Sequence, residues 1–254
     1  MATKAVSADD RHPSSHRPLP GLTHYYTPVH SLSVFRRSVR YTSRMGTNPR
    51  DDMMPMPGPS VVTFGFDVLD RVEQAVAMVK ERLKRAVAAL DAAGIPHAVV
   101  GGHAVAAWVS RIDPAAVRTT VDVDILIARV DLDWTKAALE PAGFIHSFTF
   151  GIHIFVDGPA GKAREAVHIL FAGEAVKPND PVPAPDLSGT DAHEGYRIID
   201  LDRLITMKLT AFCLKDRVHL LDMIDVGLID ASTAARVHPI LRPRLEQLLA
   251  DPNG

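Results

Sequence analysis

The sequence predicts a mixed α/β sheet with flanking helices, followed by a helical C-terminal subdomain. Three observations carry this. A strand–Gly-Gly–helix–strand stretch runs from His97 to Ile127, three β-rich runs separated by glycine turns follow it, and only helical patterns follow Leu201. The chain has 254 residues, 46% hydrophobic and 23% charged, which is enough for one sizeable domain or two small ones with a packed core.

Taken in order, residues 1–60 lack apolar periodicity. No acidic residue lies between Asp10 and Asp51, while seven arginines accumulate among Ser, His and Pro. A transit peptide or a basic arm fits that composition. The reading adopted is a disordered tail, or an upstream start with the true start near Met45, Met53, Met54 or Met56. From Asp67, the residues Val68, Val72, Val76, Val79, Leu83, Val87 and Leu90 recur at steps of three and four. They trace one apolar helical stripe, ended by Gly94 and Pro96. His97–Val100 reads as a buried strand, Ala104–Val109 as a helix, and Thr120–Ile127 as a central strand. Leu132–Ala142 reads as a helix closed by Gly143. Strands are expected at Phe144–Phe150, His153–Val156 and Ala166–Phe171. A proline-rich loop runs from Val176 to about Gly195, and helices are expected at Leu201–Phe212, Val218–Leu228 and near Leu241–Leu249. The division expected is 1–60 tail, 61–175 α/β core, 176–197 loop and 198–254 helical subdomain.

A formal net charge of −2 gives no whole-chain electrostatic case for nucleic-acid binding. The single cysteine, Cys213, cannot form an internal disulfide and fits a reducing cytoplasm. No apolar run reaches the roughly 18–20 residues that span a bilayer, so a cytoplasmic protein without a membrane partner is expected.

The chemistry concentrates at Gly101-Gly102 and, twenty residues on, Asp122-Val123-Asp124. Paired glycines after a strand let backbone turn tightly and approach a ligand. The helix that follows begins with unpaired N–H groups suited to phosphate. Alternation along a strand puts Asp122 and Asp124 on one face, about 6.6 Å apart, with Val121, Val123 and Ile125 directed into the core. Two converging carboxylates repel unless a cation lies between them, and hard oxygen donors favour Mg²⁺ or Mn²⁺ completed by triphosphate oxygens. An Asp-x-Asp strand is otherwise often only a solvated edge face.

Here the chain resembles the nucleotidyltransferase superfamily that includes DNA polymerase beta and the aminoglycoside nucleotidyltransferases. The resemblance lies in Val99-Val100-Gly101-Gly102 and Val121-Asp122-Val123-Asp124-Ile125-Leu126. The tail is similar to AbiEii-type nucleotidyltransferases through Met207-Lys208-Leu209 and Leu214-Lys215-Asp216, followed by Asp222. The resemblance implies a nucleotidyltransferase-like fold and transfer of a nucleotidyl group from an NTP to a hydroxyl acceptor. That acceptor is an RNA end, a protein side chain or a small molecule such as an aminoglycoside. Asp122 and Asp124 would hold metal, and Gly101, Gly102, His103 and Lys208 would contact the nucleotide. A catalytically silent binding module, or a toxin-like component of a two-gene system, is the alternative.

One departure stands out. The family places a third carboxylate on a later strand, and Ala166–Phe171 carries His168 there instead. Glu165 faces the opposite side of that strand. Three accounts follow: His168 as base or soft ligand, catalysis with two carboxylates only, or lost catalysis. Lys208 lies mid-way along an apolar helix face. It reads as a phosphate contact, as a snorkelling stem, or as one half of an ion pair with Asp222 or Asp225. Lys215 and Asp216 read as a solvated helix start. Gly158-Pro-Ala-Gly161-Lys162 lacks the P-loop spacing and reads as a hairpin turn. His146 and His153 read as strand residues, and Trp108 and Trp134 as core or rim anchors.

Overall fold

The structure is a computed structural model that describes residues 67–252. The expectations for residues 1–60, including the alternative start methionines, lie outside the described residues.

Helix α1 (Asp67–Ala92) carries Asp67 and Asp70 in its first turn, where carboxylates complement the helix dipole. It ends where Gly94 turns with positive φ and Ile95 N–H bonds back to Leu90. Its apolar stripe is buried only from Val79 onward; Val68, Val72 and Val76 are exposed. Length explains this. Twenty-six helical residues span about 39 Å, whereas a five-residue strand such as Val123–Ile127 spans about 17 Å.

Among the described residues the sheet has seven strands: β1 (His97–Val100), β2 (Val123–Ile127), β3 (Phe144–Thr149), β4 (Ile152–Asp157), β5 (Val167–Phe171), β6 (Thr190–His193) and β7 (Tyr196–Ile199). Their spatial order is β3-β4-β5-β2-β1-β7-β6, so β2 and β1 are central. β1 is buried throughout, and Asp124 is the one half-buried position of β2. β2 pairs antiparallel with β1 and parallel with β5. The remaining helices are α2 (Gly101–Ser110), α3 (Leu132–Leu139), α4 (Leu201–Ala211), α5 (Leu214–Asp225) and α6 (Arg242–Ala250). Leu204, Ile205 and Leu209 of α4 join Ile125, Leu126, Phe144 and Ile198 in the core. No helix among the described residues is long and apolar enough to cross a membrane.

The mixed α/β architecture agrees with the sequence expectation, with several corrections. β2 begins at Val123, so Asp122 precedes the strand, and Val121 is 52% exposed rather than in the core. α2 starts at Gly101, three residues before the expected helix, and α5 starts at Leu214 rather than Val218. Strand β6 lies inside the expected proline-rich loop and turns through Glu194-Gly195 into β7, which extends the sheet beyond β1. The rest of that loop is pinned at its base by paired backbone bonds joining Ala184 to Gly173 and Glu174. Gly158–Lys162 does connect two antiparallel strands, β4 and β5. Glu165 sits in a short turn before β5, paired with Arg164, and not on the strand. Trp108 packs on the core and donates to the Ile199 carbonyl, whereas Trp134 is 70% exposed and is not part of the core formed by the described residues.

Candidate metal and nucleotide site

Sheet register assembles the site. Val100 of β1 lies opposite Asp124 of β2, which puts the Gly101 turn directly over the Asp124 side chain. A Cβ on Gly101 would lie 2.7 Å from Asp124 Cγ and closer still to Oδ2, and φ there is +65°. Only glycine fits. Gly102 is crowded too, though less: its Cβ would lie 2.8 Å from Thr120 Oγ1. On the other side, the parallel register pairs Asp124 with His168 of β5. Their side chains meet, His168 Nδ1 to Asp124 Oδ1 at 3.1 Å, while His168 Nε2 donates to the Ala163 carbonyl at 3.3 Å.

Asp122 reaches the same spot from the bend before β2. One donor atom from each of Asp122, Asp124 and His168 lies within 4.8 Å of the others. Thr120 Oγ1 donates to Asp122 Oδ1 at 2.6 Å, and Lys215 Nζ lies 3.1 and 3.2 Å from its two oxygens. Partial burial by itself would raise the Asp122 pKa. The Thr120 and Lys215 hydrogen bonds and the lysine charge outweigh it, holding the pKa at about 2. His168 is pushed the other way: its hydrogen bond with Asp124 raises its pKa above 6.5 against the effect of burial.

Lys208 is buried, but its partner is Asp216, at 2.9 Å, and neither Asp222 nor Asp225. Asp222 instead accepts from Arg118. Asp216 is buried rather than solvated. Its second oxygen accepts from the Cys213 backbone N–H and thiol at the start of α5, which caps the helix. Lys215 and Asp216 are therefore part of the site's surroundings: one faces Asp122, the other holds Lys208. The signal for both was the Lys-Asp spacing in the tail, which a surface helix start equally produces. Thr120 had no signal beyond standing two residues before Asp122.

Gly101, Asp124, Lys208 and Asp216 line one cavity of 150 Å³, together with Lys177 and Asp180 of the proline-rich loop. A cleft of 310 Å³ adjoins it, sharing Asp124 and including His168. His103 lines neither. It faces a separate 440 Å³ cavity beside Thr120, its Nε2 is buried without a partner, and burial lowers its pKa despite the pull of Asp124 and Asp122. His146 and His153 are strand residues that stack on one another, with ring centroids 5.2 Å apart.

No protein-family model matches the sequence, and no curated protein matches it. Among solved structures, the chain is similar to the antibiotic-resistance factor ANT(2'')-Ia, at a TM-score of 0.44 and 16% identity over 69% of this chain and 95% of that one. A structure of ANT(2'')-Ia in complex with adenylyl-2''-tobramycin gives 0.44 and 14% over 67% of this chain and 98% of that one. An antigenic nucleotidyltransferase-like protein from Paracoccidioides brasiliensis gives 0.38 and 20% over 72% and 93%. At such identities and scores the chemistry has to be read from this chain's own residues.

Proposed function

We propose that the chain is a metal-dependent nucleotidyltransferase that moves an NMP group from an NTP to a hydroxyl acceptor. The observation that carries this reading is the convergence of Asp122, Asp124 and His168 beside a glycine whose missing Cβ leaves room at Asp124.

The donor set fits a divalent cation. His168 Nε2 donates to a backbone carbonyl, as metal-ligating histidines commonly do, which leaves the Nδ1 lone pair facing Asp124 Oδ1 at 3.1 Å. Two lone pairs at that distance need a proton or a metal ion between them. Carboxylate and imidazole together suit Mn²⁺, and the carboxylates also suit Mg²⁺. A cation held there supplies charge neutralisation for the triphosphate and activation of the acceptor hydroxyl.

The chain's own residues do the rest. Gly101 and Gly102 let backbone approach the phosphates at the start of α2, where no side chain caps the first N–H groups. Lys208 and Lys177 line the 150 Å³ cavity together with Asp124, Asp180 and Asp216, so a bound cation would carry most of the neutralisation of the triphosphate. Asp216 keeps Lys208 fixed and charged in a buried position. His168 acts as a ligand and positioning group, since both its nitrogens are engaged. The AbiEii-type assignment rests on Lys208, Lys215 and Asp216, and a cytoplasmic setting on the lone Cys213.

A second reading, a catalytically silent nucleotide-binding module, draws on Lys215 and His168. Lys215 already pairs with Asp122, and a protonated His168 pairs with Asp124, without a metal. The test is incubation with α-labelled NTPs and Mn²⁺ or Mg²⁺, with Asp122→Ala/Asp124→Ala and His168→Asp alongside. Label transfer by wild type that the double variant abolishes supports the enzyme. A silent wild type that His168→Asp awakens supports the module, and NTP binding undiminished in the double variant removes the metal-bridged site altogether.

A further inference from the structure

Helices α1 and α2 face each other across a cavity of 440 Å³. Val76, Val79 and Leu83 line it from α1, and His103, Ala106 and Ala107 line it from α2, each set at helical spacing. Side chains normally fill the space between neighbouring helices; here two alanines fill little of it. The volume lies within the range of small-molecule sites, roughly 300–1,000 Å³. Neither Asp122 nor Asp124 lines it, so an occupant is not the acceptor of nucleotidyl transfer. Thr120 stands between the two sites, lining the cavity and donating to Asp122.

The interior and the rim differ in chemistry. Val79, Leu83 and Ala107 are buried, whereas Lys80, Lys84 and Glu194, which also line the cavity, are exposed. Charge at the rim can be counted. Arg118 is committed to Asp222. Lys80, Lys84 and Glu194 have no ion-pair partner among the described residues, so two ammonium groups against one carboxylate leave one positive charge uncompensated. His103 and His193 add none near neutral pH, since burial lowers both pKa values from 6.5. The Tyr196 hydroxyl makes no hydrogen bond among the described residues and adds an uncommitted donor. An apolar interior beneath a rim of spare donors suits an anion with an apolar body. A phosphate monoester, with a charge of about −1.5 to −2 at neutral pH, overshoots the single positive charge. A carboxylate matches it.

We propose that the cavity between α1 and α2 binds an amphiphilic monocarboxylate, with its carboxylate between Lys80 and Lys84 at the rim and its apolar body against Leu83 and Ala107. Lys80 and Lys84 stand one helical turn apart, close enough for both ammonium groups to reach one carboxylate. Val76, 41% exposed at the same cavity, is apolar surface that the ligand's body covers.

Isothermal titration of the full chain with octanoate, butyrate, octyl phosphate and octylammonium tests this, using wild type, Lys80→Gln/Lys84→Gln and Ala106→Phe. Both lysines are exposed and unpaired, so the first variant keeps the fold. Circular dichroism checks the second, and the lysine variant decides alone if Ala106→Phe does not fold. The expected result is saturable binding of octanoate, at least about tenfold tighter than butyrate, which lacks four methylenes to bury. Octylammonium should not bind, and octyl phosphate should bind more weakly than octanoate. Loss of the two lysines should weaken octanoate about fivefold, and a phenyl ring filling the cavity should weaken it about tenfold or more. No saturable binding of octanoate, equal binding of octylammonium, tighter binding of octyl phosphate, or binding that ignores the lysine variant or a folded Ala106→Phe overturns the proposal.

Discussion

Replacing Gly101 with alanine separates backbone strain from contact with the site, because Gly94 supplies a matched control. Both glycines have φ near +65°, but a Cβ at Gly94 meets nothing within 4 Å, whereas at Gly101 it collides with the Asp124 carboxylate. An L-residue in that region costs roughly 1–2 kcal/mol, partly offset by the lower entropy of the unfolded chain, so Gly94→Ala should cost about 1 kcal/mol. Gly101→Ala bears the same cost and also drives Asp124 out of its rotamer. That breaks the charge-assisted bond to His168, worth about 1.5–3 kcal/mol. The expected total is about 3 kcal/mol. For a domain of this size that lowers Tm by roughly 6–12 °C, against roughly 2–4 °C for Gly94→Ala. Urea unfolding of the two variants measures the difference, and Mn²⁺ titration should show at least about a tenfold loss of affinity, or 1.4 kcal/mol, in Gly101→Ala alone. Two variants within about 0.5 kcal/mol of each other, with equal Mn²⁺ affinity, would refute the reasoning, since the collision with Asp124 would then have no consequence.

Asp216→Ala leaves the buried Lys208 ammonium unpaired and should cost about 3–5 kcal/mol, most of it recovered in Lys208→Met/Asp216→Leu; equal losses in both variants by urea unfolding would contradict this. His219 is buried, and burial together with the Lys208 and Lys215 charges lowers its pKa to about 4 from 6.5. The unfolded chain then binds a proton that the fold excludes. Stability is full above pH 6.5 and falls as pH drops toward 4, by on the order of 3 kcal/mol. His219→Gln should flatten urea midpoints across that window, and an unchanged slope argues against it. Lys215→Ala removes a cation that competes at Asp122, so metal affinity should rise, by up to about fivefold for so exposed a pair. A fall measured by isothermal titration would mean that Lys215 assists metal binding.

The parts of the fold that the sequence announced are those with a strong local pattern. The Gly101 turn, the β1 and β2 runs and the spacing of α1 are legible because burial on both faces and helical period leave few other arrangements. β6 and β7 were not read from the sequence: Thr190–His193 is short and polar, and what makes it a strand is pairing with β7, a tertiary fact. The apolar stripe of α1 is continuous in sequence yet exposed in its first half, because periodicity records amphipathicity and not the length of the sheet beneath it. At the site, His168 was found by its place on β5, and the parallel register then set it against Asp124. Asp216 was misread because a carboxylate in the first turn of a helix normally faces water. Its burial follows from Lys208, eight residues earlier on another helix.

The central claim is that Asp122, Asp124 and His168 together hold a divalent cation that bridges to a triphosphate. Isothermal titration of Mn²⁺ into the NTP-loaded full chain, wild type against Asp124→Asn, tests it most directly. The account predicts saturable binding by wild type that Asp124→Asn weakens at least about tenfold, 1.4 kcal/mol. Equal affinity in the two proteins, or no binding by wild type, would contradict it.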